Sequence, residues 1–347
     1  MRVEKFGNSV YVAVPRGCVE VVMGRVKSYS KLVSVTNEQL TRLNRLAREN
    51  AWKGEKQRGP ARGILERYGK RLFREMRNYV STAKSWDTFF ESTTERVAIT
   101  VDEETALIPW ELAHDGNDFL CTRYKVTRRI QLPVKWVGGF TPFEARTRNA
   151  LVIGLNYKGR YELDYPEMEA HAVASRLKGL GYKLLNGEPL TGSKATVANV
   201  SKLLRNEKEP LAVLHFTGHS SGGKLPLADG SLSGRDLAET FSKTHGAPFL
   251  TFLNACSTNQ FDRTGLVKAV AAYGGEQIIA SFWSIFDDAS TRFADVFYHQ
   301  VELGYPVPDA VYSARMKLRG DIGRYDDTWP AFVAYGAEFP AKYRVEA

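Results

Sequence analysis

Two residues in the second half of the chain pair a reactive side chain with the same local setting. His219 follows the apolar run 211–216, and Cys256 follows the apolar run 249–254. Each run is short and reads as a buried strand, so each reactive residue falls just past a carboxyl end. In an open parallel sheet, sites form along that edge. One amphipathic segment, 233–242, separates the runs, as a crossover between neighbouring strands would. Neighbouring strands lie about 4.8 Å apart, so the two loops can bring imidazole and thiol within reach. A thiol with a pKa of about 8.5 is mostly protonated at neutral pH. An adjacent imidazole takes that proton and later returns it to a leaving group. Alone, a cysteine after a strand is usually a small core residue, and a lone histidine is usually structural. It is their joint placement that points to a nucleophile, Cys256, and its general base, His219. His215 lies inside its run and reads as a core residue or a support for the site. Cys18 and Cys121 have no histidine-bearing loop of this kind nearby.

The elements that must position this pair alternate. Strand-like runs at 150–155, 182–185, 211–216, 249–254, 277–282 and 331–335 are separated by amphipathic segments at 166–180, 193–205, 233–242, 265–273, 289–303 and 308–318. Such alternation implies right-handed crossovers and a mostly parallel sheet with helices on both faces, an α/β three-layer sandwich. Ser193 reads as an N-cap, and Gly274-Gly275 as a helix end before a strand. Residues 1–148 are less regular. A hairpin is expected from 11–14 and 19–22, helices over 37–49 and 64–80, and strands at 97–101 and 124–130. The division is therefore a smaller N-terminal half, 1–148, packed through 108–112 on an α/β domain, 149–347.

Bulk properties narrow the function. No stretch of 18 apolar residues is present, so no membrane span is expected. Met1, Arg2, Val3, Glu4 and Lys5 do not begin a secretory signal, and the three cysteines cannot all pair, which suggests free thiols and a cytoplasmic protein. No Cys-x-x-Cys occurs, and the chemistry calls for no cofactor or metal. The net charge of +9 is uneven: residues 1–100 carry 20 basic and 10 acidic side chains, the remainder 28 and 29. The basic N-terminal stretch is either a solvated helical face or a surface for nucleic acid, acidic protein or anionic lipid.

Four motifs resemble those of CHAT peptidases, relatives of caspases, separases, gingipains and metacaspases. They are His215-Phe-Thr-Gly-His219, Leu253-Asn-Ala-Cys256, Ile108-Pro-Trp-Glu-Leu112 followed by His114-Asp-Gly116, and Ala280-Ser-Phe-Trp-Ser-Ile-Phe-Asp287-Asp288. One departure is Ser220, where the family commonly has glycine after the histidine; Gly222 and Gly223 follow closely. The resemblance implies a caspase-like fold with a pseudo-caspase-like N-terminal half. It implies a cysteine endopeptidase in which His219 is general base and acid and Cys256 attacks the scissile carbonyl. The backbone N–H groups of Cys256 and Ser220 would form the oxyanion hole. It further implies a substrate pocket near Asp287 and Asp288 that selects Arg or Lys, walled by Trp283, with Asp229 a weaker candidate. The alternative for either aspartate is to cap the helix expected from 289, since Asp is a favoured cap. The implied partners are a protein substrate, such as a gasdermin-like or other effector, and an activating sensor, in bacterial defence or signalling. A catalytically inactive scaffold and a nucleic-acid-binding adaptor using residues 1–100 are the competing readings.

Overall fold

A computed structural model of the protein describes residues 2–6, 9–14, 18–23, 29–50, 62–79, 96–101, 103, 105–130, 147–157, 162–206, 211–259, 265–321 and 327–336. The strands are β1 (Arg2–Phe6), β2 (Ser9–Val14), β3 (Cys18–Met23), β4 (Arg96–Val101), β5 (Lys125–Ile130), β6 (Asn149–Gly154), β7 (Lys183–Leu184), β8 (Leu190–Thr191), β9 (Val213–Thr217), β10 (Lys224–Pro226), β11 (Ser231–Ser233), β12 (Leu250–Asn254), β13 (Gln277–Ser281) and β14 (Phe332–Gly336). The helices are α1 (Tyr29–Asn50), α2 (Arg62–Tyr79), α3 (Leu120–Arg123), α4 (Pro166–Gly179), α5 (Val197–Asn206), α6 (Gly234–Ser242), α7 (Leu266–Ala272), α8 (Asp287–Glu302) and α9 (Val307–Asp321).

Twelve strands make one sheet in the order β1-β2-β3-β4-β5-β14-β13-β12-β9-β6-β7, with β8 also on β6. From β6 through β9 and β12 to β13 every pairing is parallel, as crossover helices require. The α/β fold with a mostly parallel sheet is thus as expected. β14 turns back antiparallel to β13 and pairs on its other side with β5. The sheet therefore runs on into residues 1–148 edge to edge. The short hairpin β10–β11 stands apart.

β9, β12 and β13 are buried along their whole length, so their sequences show no polar–apolar alternation. The period of two instead decides which helical layer each side chain meets. Leu214 and Phe216 line one apolar space with Val200 and Leu204 of α5 and Leu237 of α6. His215, Phe252 and Asn254 meet α4 and α8 on the opposite face. Phe252 packs its ring against Phe293, Phe297 and Tyr298 of α8 and Phe332 of β14. Burying such a ring contributes about 1.5–3 kcal/mol.

The Ile108–Leu112 motif has a structural explanation. Arg128 on β5 and Glu111 form a buried, two-pronged ion pair, with Nε to Oε1 at 2.6 Å and Nη2 to Oε2 at 2.5 Å. The same guanidinium donates to the carbonyls of Ala106 and Ile108 and lies 4.8 Å from the Phe282 ring centre. With its donors met by acceptors, the charge is tolerated in the interior, and it ties the turn at 105–112 to the β5–β14 junction.

Helix starts depart locally from the expectation. Ser193 lies in a 3-10 turn and does not cap a helix; α5 begins at Val197, whose N–H donates to the Asp229 carboxylate at 2.7 Å. Asp229 thus adds an acceptor from a distance, while the local N-cap is Thr196, three residues after Ser193, whose hydroxyl accepts from the Asn199 N–H at 3.1 Å. α6 has its capping box within reach in sequence, Ser233 with Asp236. α8 starts at Asp287, two residues early. The turn of the expected 11–22 hairpin lies outside the described residues, though its strands β2 and β3 do pair antiparallel. Among the described residues no helix is long and apolar enough to cross a membrane.

Candidate active site

β9 and β12 are parallel neighbours, with Thr217 level with Asn254. His219 and Cys256 therefore each lie two residues past the same rung, at the carboxyl edge of the sheet. The two loops are joined at their roots, where the Gly218 N–H donates to the Asn254 carbonyl at 3.2 Å. Gly218 has φ +151, a region that disfavours side chains, and a Cβ there would lie 3.0 Å from the Tyr157 hydroxyl. The glycine of the Thr-Gly-His motif is thus required by backbone shape and by a neighbour on another strand.

That neighbour, Tyr157, leaves the end of β6. Its ring lies over His219, with centroids 4.6 Å apart and planes 38° from parallel. Its hydroxyl accepts the His219 backbone N–H at 3.3 Å and donates to the Pro226 carbonyl at 2.9 Å, on β10. Sequence reading missed Tyr157, although it follows a strand's carboxyl end as His219 and Cys256 do. It also missed β10 and β11, which are too short to give a pattern.

The nucleophile's loop is stitched to the end of β13. Ser257 N–H donates to Trp283 O, Asn259 N–H to Ser281 O, and Ser281 Oγ to Ala255 O at 2.6 Å. Farther along, Asn259 donates to Ala106 O and accepts from the Tyr335 hydroxyl, which ties the loop to the Arg128 junction. Ser257 has φ +51 and Tyr157 φ +56; among the described residues they are the two non-glycines at positive φ. Each such conformation costs on the order of 1–3 kcal/mol, and strain of this kind gathers where geometry serves function. The half-buried thiol donates to Ile285 O at 3.8 Å. Burial pushes the Cys256 thiol above its ordinary value; the contacts to Ile285 and Ser284 oppose the shift, and the Asp287 charge adds to it. Cys121 is fully buried, and burial raises its thiol to about 11.

The pocket candidates fall at different depths. Asp287 Oδ2 accepts the N–H groups of Asp164 and Tyr165, at 2.9 and 3.2 Å, so it braces the loop before α4. Burial raises its carboxyl to about 6, against those two hydrogen bonds. Asp288 accepts from the Ala289 N–H at 2.9 Å. Both stand in the first turn of α8, where negative charge is favoured. Trp283 is wholly buried and donates its indole N–H to Asp327 O. Ser284 is held from the N-terminal half: its N–H and hydroxyl both donate to Asn44 Oδ1 of α1, at 2.7 and 2.9 Å.

Behind this edge lies a sealed polar cluster. Glu169 of α4 accepts from His215 Nε2 at 3.0 Å, Asn254 Nδ2 at 2.7 Å and Thr291 Oγ1 at 2.7 Å. The Tyr298 hydroxyl and His215 Nδ1 share a hydrogen bond at 3.1 Å, so both ring nitrogens of His215 are bonded. Asn254 also donates to the Ser290 carbonyl. The motif asparagine thus locks β12 to both α4 and α8 two residues before the thiol.

The CHAT domain family matches residues 67–337. The chain belongs to the CHAT domain family. Two solved structures share the fold of this CHAT protein. One is the Arg-specific cysteine proteinase gingipain R, 15% identical, covering 80% of this chain and 73% of that one at a TM-score of 0.53. The other is the complex of the pro- and mature domains of RgpB from Porphyromonas gingivalis, 15% identical, covering 80% and 77% at a TM-score of 0.54. No curated protein matches this CHAT chain in sequence. The fold is therefore that of the caspase-like cysteine proteases. The family match begins inside α2, so α1 and its Asn44 lie outside it.

Proposed function

We propose that this CHAT protein is a cysteine endopeptidase acting through Cys256 and His219. The observation that carries the reading is the register of β9 against β12, which sets the two residues at equal distance past one rung. His219 takes the thiol proton as sulfur bonds to the scissile carbonyl carbon. The carbonyl becomes an oxyanion held by the N–H groups of Cys256 and Ser220. As the C–N bond breaks, His219 gives its proton to the amine, leaving a thioester that water then hydrolyses, with His219 again as base.

The substrate is read as a protein cut after Arg or Lys. Asp287 is the favoured counter-charge, because it is partly buried close to the thiol, with Asp288 the alternative. A buried basic side chain needs such a carboxylate. The structurally similar gingipain R is Arg-specific by its own description. A thiol whose burial opposes its ionisation fits an enzyme that a sensor or the substrate must switch on, as a defence or signalling protease would require. Fluorogenic peptides differing only before the scissile bond test both points. Cleavage after Arg that disappears in Cys256→Ala and in His219→Ala is expected; equal turnover by Cys256→Ala would overturn the mechanism, and faster cleavage after Asp or Leu the specificity.

A further inference from the structure

We propose that Tyr157 is a positioning residue that holds the His219 imidazole and its loop in the orientation the thiol requires. This rests on the reading of His219 as general base, and it adds a residue from a third strand end. β6 lies beside β9, with Gly154 level with Thr217 and the Leu155 N–H donating to the Thr217 carbonyl. Tyr157 therefore emerges three residues past the rung from which His219 emerges after two. A chain continuing in extended form would carry the ring past the histidine. The positive φ of 56° turns it back instead, a conformation that a residue with a Cβ adopts only when its surroundings impose it.

The side chain then acts in two ways. Its ring restrains the imidazole by face contact. Its single hydroxyl accepts from the His219 backbone N–H while donating to Pro226 O, so it bridges the general base's own backbone to the β10–β11 hairpin. Gly218 leaves room for that hydroxyl, and any side chain there would meet it. A histidine on a loop has freedom in its backbone and in two side-chain torsions; these contacts restrict both before substrate arrives, which is how positioned groups gain rate. A packing role alone would call for the ring, whereas the hydroxyl lies between two backbone groups of the loop that carries the base.

The test measures iodoacetamide alkylation of Cys256 in the full chain, read by peptide mass spectrometry from about pH 5 to about pH 10, so that only this thiol is scored. Wild type, Tyr157→Phe, Tyr157→Leu and His219→Ala are compared, with a melting temperature for each. Wild type is expected to react below the thiol's own titration through a limb that His219→Ala lacks. Tyr157→Phe keeps the ring and should lower that limb about tenfold, while Tyr157→Leu should bring it to the His219→Ala level. The high-pH limb should stay at wild-type values, and the Tyr157→Phe melting temperature should fall by no more than the few degrees that two lost hydrogen bonds account for. Tyrosine variants that follow the wild-type profile while His219→Ala loses the limb would overturn the role of Tyr157 and leave the dyad standing. A wild-type profile identical to that of His219→Ala would overturn the dyad, and the role of Tyr157 with it.

Discussion

His215 and His219 are four residues apart on one strand and its loop, and their surroundings differ in kind. His215 is fully buried, and both ring nitrogens are bonded inside a layer closed by Glu169, Asn254, Thr291 and Tyr298. His219 is partly exposed at the sheet edge, beside an aromatic ring and a strand end from the thiol's loop. Inside, the ring is held on both sides, so the cluster gives rigidity and no free chemistry. At the edge the backbone is strained at Tyr157 and Ser257, and the imidazole and thiol are only partly buried. The comparison teaches that residue type alone does not assign a role; the end of the strand divides structure from chemistry.

The largest expected effect is on the edge. Removing either member of a pair that works as a unit costs a factor on the order of 10⁴ or more in turnover. Cys256→Ala and His219→Ala should therefore abolish cleavage while their melting temperatures stay near wild type. A loss of folding in His219→Ala would erase the contrast with His215. The opposite pattern is expected inside. His215→Ala removes one of the three donors to Glu169 and the partner of the Tyr298 hydroxyl, leaves a void in a closed layer, and should cost about 3–5 kcal/mol of stability in denaturant unfolding. Glu169→Gln keeps an acceptor and should cost less. Unchanged stability in His215→Ala would mean that the sealed layer does not hold the strands.

Asp287 sits between the two environments, and pH separates its roles. Its carboxyl titrates near 6 in the folded chain against an ordinary value of 3.8, so the native state holds this proton more tightly. The group's contribution to stability is most favourable at low pH and falls as pH rises from about 4 to about 6. Asn at 287 still accepts from Asp164 and Tyr165. Asp287→Asn should then melt a few degrees higher at about pH 7.5 and unchanged at about pH 4. The same variant should lose the preference for Arg, which in the wild type should itself fade below about pH 6. A variant less stable than wild type at neutral pH would show that the carboxylate charge supports the fold.

The smallest effect tests how far the edge depends on the N-terminal half. Asn44→Ala removes the acceptor of two Ser284 hydrogen bonds and should cost about 1–2 kcal/mol. Because Ser284 adjoins Ile285, whose carbonyl accepts from the thiol, Cys256 alkylation should change with it. A stability change with no change in that rate would mean that α1 braces the loop without reaching the nucleophile.

Much of this edge was legible in the residues. Runs of β-branched and aliphatic residues marked β6, β9, β12 and β13, because strands buried on both faces need little else. A reactive residue just past two of them marked His219 and Cys256, because loops at carboxyl ends are where a parallel sheet opens. That Asp287 and Asp288 stand at the start of a helix was legible too, but not their different contacts, since α8 starts two residues early and one carboxylate reaches a loop 123 positions away. Nothing local marked Glu169, whose helical spacing is that of any half-polar helix.

By itself, then, the order of residues determined the alternation of elements, the pairing of histidine and cysteine with strand ends, and the concentration of positive charge before residue 100. These are short-range properties, set by side-chain size, branching and charge along a few neighbouring positions. Only the tertiary structure decided that β5 would join β14 and extend the sheet, that Asp229 would accept from a helix start 32 residues before it, that Asn44 would grip Ser284, and that Tyr157 would turn its ring over His219. Each of those contacts joins atoms distant in the chain, and its worth depends on burial and on angles within a few tenths of an ångström. Such terms exist only once the sheet has closed around them, and no window of sequence carries them.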